Sequence, residues 1–424
     1  MKHSDLTLSG IGKYLAAAIF LAFVLFVGVS GFRQALSNHY SNLAVRDSSV
    51  ELARSAIRWQ PGNPNAYEAL GTVLGRKGEK KGAVASFEEA VKLRENDFRL
   101  WLRLGSARAD SGDLAGARTA FRTAISLAPG YSRPRVELGT FLLENSETQE
   151  AFRLFNEAAE REPALYPAIL EIATREYPGD AEKIEALITP KSFEGKRLSA
   201  IYLIGKGLVS ASVRRFLLSK DLPPEERARF VGLLIENKNF ELAREVWRAS
   251  PEFPKELSKF LIFDGGFERT TRSDESGFGW MFDDDIESAR VLLEGKDVHS
   301  GSKALKFVFE GHSNPGEWLL LQRIVVKPGT SYQLKAFVRP KDLVTAGLPF
   351  IGVYNGIDNQ QLARTQRVEA SAEGWVELEA RFNSGDNRAI SVALARESCD
   401  QSPCPVFGEL ILDDFSLEEI DADR

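Results

Sequence analysis

The sequence predicts three parts: one membrane-spanning helix, an all-α solenoid of helical hairpins, and a C-terminal all-β sandwich. Three observations carry this reading. Nineteen uncharged residues run from Tyr14 to Phe32. Small and aromatic residues recur every thirty-four positions between Ala53 and Pro163. Beyond Leu261 the apolar period changes from that of a helix, about 3.6, to that of a strand, about 2. At 424 residues the chain exceeds a single ordinary core. Its 27% charged and 43% hydrophobic residues are a normal globular balance. A net charge of -6 gives no field for phosphate backbones, so nucleic acid is not an expected partner.

The first element is YLAAAIFLAFVLFVGVSGF, residues 14–32. As a helix rising about 1.5 Å per residue it matches a hydrocarbon layer of roughly 30 Å. An uncleaved anchor is favoured over a cleaved signal peptide, for which Gly28-Val29-Ser30 is a weak cleavage site, and over a buried soluble helix. Lys2 and Lys13 precede the span and place residues 1–13 in the cytoplasm, a bias that Arg33 and Arg46 weaken. The expectation is a single-pass protein of a bacterial inner membrane, its bulk periplasmic or extracellular. Cys399 and Cys404, the only cysteines, lie five apart, and in an oxidising compartment they favour a small disulfide loop. Zinc would need further ligands, and no histidine is close in sequence.

The solenoid is expected over 33–250. Pro61, Glu95, Pro129 and Pro163 stand thirty-four apart, Ala56, Ala90, Ala124 and Ala158 keep the same register, and so do Ala53, Phe87, Phe121 and Phe155. Tyr67, Trp101 and Arg135 open the first helices, followed by Leu70-Gly71, Leu104-Gly105 and Leu138-Gly139. The glycine and alanine columns let paired helices approach, the phenylalanines fill the space between one hairpin and the next, and each boundary proline stops a helix. This combination resembles the tetratricopeptide repeat family, strongly over 63–163, with a degenerate unit before it that carries Tyr40 and Ala53. Arg135 departs from the aromatic pattern and is expected to loosen that contact. After Pro163 the register is lost and irregular hairpins continue.

The resemblance implies a protein-binding scaffold. Its groove would be lined by the inner positions of the first helices: Asn65, Glu68, Thr72 and Arg76, then Arg99, Ser106 and Asp110, then Arg133, Thr140 and Glu144. The bland alternative for each is a solvated concave face. Where the carboxylate-clamping subclass of that family carries Lys and Asn, this chain has Glu68 and Thr72, so a receptor for chaperone tails is not expected.

SPEFPKE opens a linker over 251–261, and the sandwich is expected over 262–420. ALKFVFEG, SYQLKAFVRP and WVELEARF alternate apolar and polar residues, with turn clusters KPGTS, YNGIDN and NSGDN between them. Nine or ten short strands argue a β-sandwich of jelly-roll type. FDGGFE at Phe263–Glu268, GFGW, SGSKAL, the strand ending in FVRP, GW and GELILDDFSLEEI resemble, in order, the carbohydrate-binding modules of the xylan- and glucan-binding group. That resemblance implies a glycan ligand and a structural calcium ion on Glu268 and Asp413, carboxylates suiting a cation that takes six to eight oxygens. The alternative is that both are ordinary strand-end residues. Sugar recognition needs aromatic faces and planar polar groups, and the candidates are Trp280, Trp318, Phe337 with Arg339 beside Lys335, and Tyr354 with Asn355. Phe337 points away from the Tyr332, Leu334 and Ala336 face, with packing under a loop as its alternative, and Trp375 reads as core.

No metalloprotease, nucleophile-elbow, phosphate-loop or dinucleotide fingerprint occurs. The acidic run Asp283, Asp284 and Asp285 reads as a solvated turn more readily than as a pair of glycosidase carboxylates. The expected function is a non-catalytic envelope scaffold requiring no cofactor, with a protein partner in the groove and a polysaccharide on the sandwich. The alternative is a structural assembly protein whose sandwich contacts protein.

Overall fold

The computed structural model describes residues 10–270, 273–274, 277–282, 289–311, 318–399 and 404–421, with the side chains of 10–13 outside the description. The acidic run 283–285 and Lys2 lie outside the described residues. The chain divides into two compact units, 1–199 and 200–424.

The first unit begins with α1 (Gly10–Asp47), a helix of 38 residues whose apolar stretch is long enough to cross a membrane and is not buried anywhere in the protein. It does not stop at Phe32. Its second half, with Ser37, Ser41 and Ala44 buried, pairs with α2 (Val50–Trp59) as a first helical hairpin. Three hairpins follow at the repeat spacing: α3 (Pro64–Arg76) with α4 (Lys80–Leu93), α5 (Phe98–Ser111) with α6 (Leu114–Leu127), and α7 (Arg133–Glu144) with α8 (Thr148–Ala159). Asn63, Asp97 and Asp113 cap helix starts by accepting from backbone N–H groups that have no helical partner. Ala53, Ala56, Ala83, Ala90, Ala117, Ala124, Ala151 and Ala158 are all buried, as their columns require.

The glycine column has a sharper cause. A Cβ on Gly71 would lie 3.0 Å from the Phe87 ring, one on Gly105 2.8 Å from Phe121, and one on Gly139 2.6 Å from Phe155. Each phenylalanine therefore fills the crossing inside its own hairpin, over the glycine sixteen residues earlier, before it reaches the next hairpin; the Phe121 and Phe141 rings then meet at 5.5 Å across that boundary. Arg135 does not loosen the third unit. It is buried, donating to the Tyr131 carbonyl at 3.0 Å and to Glu157 of α8 at 3.4 Å, so a salt bridge stands in for the aromatic. Past Pro163, α9 (Tyr166–Glu176), α10 (Ala181–Leu187) and α11 (Phe193–Gly205) leave the thirty-four-residue spacing.

The second unit carries α12 (Ala211–Leu217), α13 (Pro224–Glu236) and α14 (Phe240–Arg248), then, among the described residues, nine strands. Buried Arg227 ties the three helices by donating to the carbonyls of Leu217, Ser219 and Val246. The segment 251–261 is packed: Phe253 lies against Trp247 at 5.1 Å and Phe263 at 5.8 Å, and Arg248 donates to the Phe260 carbonyl. Among the strands, β1 (Ala289–Glu294), β2 (Ala304–Glu310), β9 (Val406–Ile420), β4 (Ser331–Thr345) and β7 (Val376–Asn383) form one antiparallel sheet in that order. The other has the order β3 (Leu320–Val325), β8 (Ala389–Arg396), β5 (Pro349–Asn355), β6 (Gln361–Arg364). One core joins their inner faces, with Phe307, Tyr332, Leu334, Val338 and Leu412 meeting Ile324, Ile351, Val353, Ile390 and Val392. The alternation read in β2 and β4 matches this core, as do Leu378, Ala380 and Phe382 in β7, whereas Val376 is exposed at the strand end.

The turn at FDGGFE has its positive φ at Asp264 (49°) and Phe267 (55°), not at the glycines. Gly265 is needed for closeness, because a Cβ there would sit 1.9 Å from the Phe415 carbonyl oxygen. The Phe415 N–H donates back to the Gly265 carbonyl at 2.9 Å, so the turn is laced onto β9.

Overpacking at the helix crossings gives an ordered prediction. Gly139→Ala and Gly105→Ala should each destabilise the helical unit by about 1–3 kcal/mol and Gly71→Ala by less. Gly75→Ala, whose added carbon would lie 3.9 Å from the nearest atom, should be neutral or stabilise by up to about 1 kcal/mol. Urea titrations followed by helical circular dichroism measure this, and equal effects at Gly75 and Gly139 would contradict the crossing.

Candidate functional site: a helical groove and two sheet faces

In the first unit, the first helices of successive hairpins, α1, α3, α5 and α7, line two cavities of ≈ 600 and 660 Å³. Of the expected groove residues, Asn65, Glu68, Thr72, Arg76, Arg99, Ser106 and Arg133 line them. Asp110, Thr140 and Glu144 are exposed beyond the two cavities. The helix periodicity places these side chains by presenting one polar face every turn, while Ala66, Ala69, Val73, Leu100 and Leu104 turn into the core.

Asn38 and Asn42 of α1 also line the groove and were missed, although the repeat contains them: each lies thirty-four residues before Thr72 and Arg76. The Asn38 side-chain oxygen accepts from the amides of Asn63 at 2.9 Å and Asn65 at 3.3 Å, which fixes α1 against α3. Six arginines, at 46, 76, 94, 99, 103 and 133, face three carboxylates, Glu68, Asp97 and Glu137, among the lining residues. Asp97 is committed to Arg99 at 2.9 Å and Arg94 at 3.4 Å, and its hydrogen bonds from Arg99 hold its carboxyl below the usual range. Arg103 stands 3.8 Å from Glu68, and Arg76 donates to the Val45 carbonyl at 2.6 Å. An acidic chain thus presents a groove with excess positive charge.

In the second unit the six glycan candidates do not converge. Trp280 is a correction: it is 2% exposed, packs on Phe267 at 5.2 Å and Phe415 at 4.8 Å, and donates its indole N–H to the Asp264 carbonyl. The strained turn needs that donor, so the ring is core. Phe337 and Arg339 lie on the outer face of the five-stranded sheet, since Ala336 and Val338 are core. The His299 ring stacks on Phe337 at 3.7 Å, with Trp375 edge-on to His299 at 5.6 Å; Trp375 is half-buried outside the core. Arg339 pairs with Asp297, which also takes Lys341 at 2.6 Å. Burial raises the Asp297 carboxyl, but the two cations outweigh it and hold it low.

Tyr354 lies on the outer face of the other sheet, its ring across Gly352, where a Cβ would come within 2.5 Å of it. Trp318 packs on it at 4.8 Å, and burial raises the Tyr354 hydroxyl pKa. The Asn355 oxygen accepts from Ile357 N–H at 2.8 Å, a turn-forming role. Cys399 and Cys404 are bonded to each other, with Cα atoms 6.0 Å apart. Buried Arg396 donates to the Gly347 and Cys404 carbonyls beside that loop.

Glu268 and Asp413 do not fit a calcium ion, because their oxygens already accept N–H and O–H donors. Glu268 takes Ser302 N–H at 2.6 Å, Ser302 O–H at 2.6 Å and Lys303 N–H at 3.1 Å, while the Lys303 ammonium donates to the Glu268 carbonyl at 2.9 Å. Asp413, fully buried, takes the N–H groups of His299, Ser300 and Asp414. Among the described residues no group of three or more acidic, His or Cys side chains is arranged for a metal. The two carboxylates instead clamp the 299–303 loop.

The Ser302 side-chain hydrogen bond leads the effects that hold the Glu268 carboxyl below its ordinary range. Its contribution is therefore present above the unfolded glutamate pKa and is lost as pH falls through the lower folded value. Glu268→Gln should lower the stability of the sandwich by about 1 kcal/mol or less at neutral pH, since solvent reaches the carboxylate, and the gap to wild type should close on acidification. Thermal melts across pH measure the gap. A chelator should leave both melts unchanged, and a chelator-sensitive transition would restore the metal reading.

The tetratricopeptide repeat family model matches residues 68–132 and 102–167, a stretch that contains the three glycine–phenylalanine pairs. No curated protein matches the chain. Among solved structures, MamA is 22% identical, covering 31% of this chain and 77% of that one with a TM-score of 0.28. MamA from Desulfovibrio magneticus RS-1 is 17% identical over 37% of this chain and 94% of that one, with a TM-score of 0.31. YrrB, described as a TPR protein with an unusual peptide-binding site, is 19% identical over 39% of this chain and 90% of that one, with a TM-score of 0.30. The repeats suggest a scaffold for protein–protein interaction.

Proposed function

We propose that the chain is a non-catalytic, membrane-anchored envelope scaffold whose helical groove takes an extended acidic segment of a protein partner. The observation that carries this reading is the lining of six arginines against three carboxylates in a chain of net charge -6. Opposite charge steers encounter and fixes register, and polar first-helix residues supply hydrogen bonds to an extended backbone. The apolar stretch of α1 supports the anchor, with the bulk of the chain on the extracytoplasmic side.

Fluorescence anisotropy with a glutamate-rich peptide and its lysine-rich counterpart tests the groove on the full chain in detergent. The acidic peptide should bind, weakening with salt, and the basic one should not. The double variant Arg76→Glu and Arg103→Glu should weaken binding about ten-fold or more, because each reversal replaces an attraction with a repulsion. Equal binding of both peptides, or no effect of the reversals, would defeat the reading.

A second reading gives the β-domain a glycan, in polysaccharide synthesis or export. Strand order β2-β9-β4-β7 against β3-β8-β5-β6 supports the jelly-roll reading, and the half-buried Trp318 against Tyr354 offers an aromatic surface outside the core. On a polysaccharide array the full chain should be retained and Trp318→Ala should lose retention. No retention of the wild type would leave the β-domain as a protein-contacting structural module.

A further inference from the structure

The groove uses one side of the first unit, and a different edge carries a feature that peptide binding does not explain. We infer that the turns joining each second helix to the next first helix form a rim that rests on the anionic lipid surface from which α1 emerges. This rests on reading α1 as a membrane span.

The placement follows from hydrogen bonds. Arg33, one residue beyond the apolar stretch, donates through Nε to the Trp59 carbonyl at 2.9 Å, so α2 ends level with the end of the span. Asn63 donates to Ser37 at 2.8 Å and to Asn38 at 2.9 Å, which brings the start of α3 to the same edge. Because the hairpins repeat, every turn thirty-four residues further on belongs to that edge. The residue at the Trp59 position is Leu93 in the next hairpin and Leu127 in the one after.

These three residues are 39%, 42% and 36% exposed at the last position of α2, α4 and α6; Leu114, 47% exposed at the opposite end of α6, lies outside this register. Tyr131, 63% exposed, follows Leu127 in its turn and stacks at 5.4 Å on Phe98, the first residue of α5 beside the preceding turn, extending the apolar surface across two repeats. A single exposed leucine needs no explanation. An apolar position exposed three times at the repeat spacing, on the edge continuous with the span, does. Exposed Arg58 adjoins Trp59, and Arg94, which also borders the groove and pairs with Asp97, adjoins Leu93; arginine beside tryptophan and leucine is the composition that suits a headgroup layer. At the fourth position the series ends in Arg161.

The full chain reconstituted in vesicles of phosphatidylcholine and phosphatidylglycerol, with plain or brominated acyl chains, tests the rim by tryptophan quenching. Trp59 adjoins the span and would be quenched by the anchor alone, so the decision rests on Leu93→Trp and Leu127→Trp, each in the Trp59→Phe background. The added fluorescence of each variant should fall at least about two-fold in brominated vesicles, and less when phosphatidylglycerol is left out. Unquenched added tryptophans in a chain that remains with the vesicles after a carbonate wash would overturn the rim and leave the anchor standing. Unquenched tryptophans together with cross-linked dimers through these positions would assign the surface to a second copy and equally overturn it. Release of the chain by carbonate would overturn anchor and rim together.

Discussion

The helical unit depends on one steric match, a phenylalanine ring laid over a glycine sixteen residues earlier. At Gly71, Gly105 and Gly139 the space a side chain would take is already occupied by Phe87, Phe121 and Phe155. That contact sets how closely the two helices of a hairpin approach and how they cross. Repetition every thirty-four residues then stacks the hairpins with their first helices side by side, and the groove is the surface those helices share. Function in this unit therefore follows from packing: the polar and charged positions line up because the apolar ones do.

The same register reaches back into α1. A helix that only anchored the chain could end at Phe32, but this one continues to Asp47 and contributes Asn38, Asn42 and Arg46 to the groove wall. Its polar contacts with Asn63 and Asn65 leave no flexible tether between the apolar stretch and the first hairpin. A partner segment bound there would lie close to the end of the apolar stretch, and under the proposed anchoring it would be membrane-proximal.

Much of the helical unit was legible because a solenoid writes its constraints locally and repeats them. Period and composition located the hairpins, and of the ten residues expected to face a groove, seven line the two cavities. What was missed at Asn38 and Asn42 was hidden by the hydrophobicity of the preceding stretch, which drew the reading of α1 toward the membrane alone. Arg135 was misread for a different reason: its partner Glu157 sits on another helix, and pairing at that distance leaves no mark in a single sequence. The sandwich was legible at the level of strand alternation and much less so at its sites. Trp280 has the composition of a ligand contact, but the donor needed by the Asp264 carbonyl, brought near by the turn, decides its place. Glu268 and Asp413 have the chemistry of metal ligands, and the loop at 299–303 supplies the hydrogen bonds that occupy them instead. An aromatic or a carboxylate announces its chemistry in the sequence; which neighbour uses it is settled by tertiary contacts.

On the proposed reading, an acidic protein segment is held along the first helices of the hairpins, beginning on α1 itself. Hydrogen–deuterium exchange of the full chain with and without a bound glutamate-rich peptide measures this most directly. Exchange should slow along α3 and α5 and in the second half of α1, around Asn38 to Arg46, and stay unchanged in the 200–424 unit. Unaltered exchange on α1, α3 and α5, or protection confined to the second unit, would contradict it.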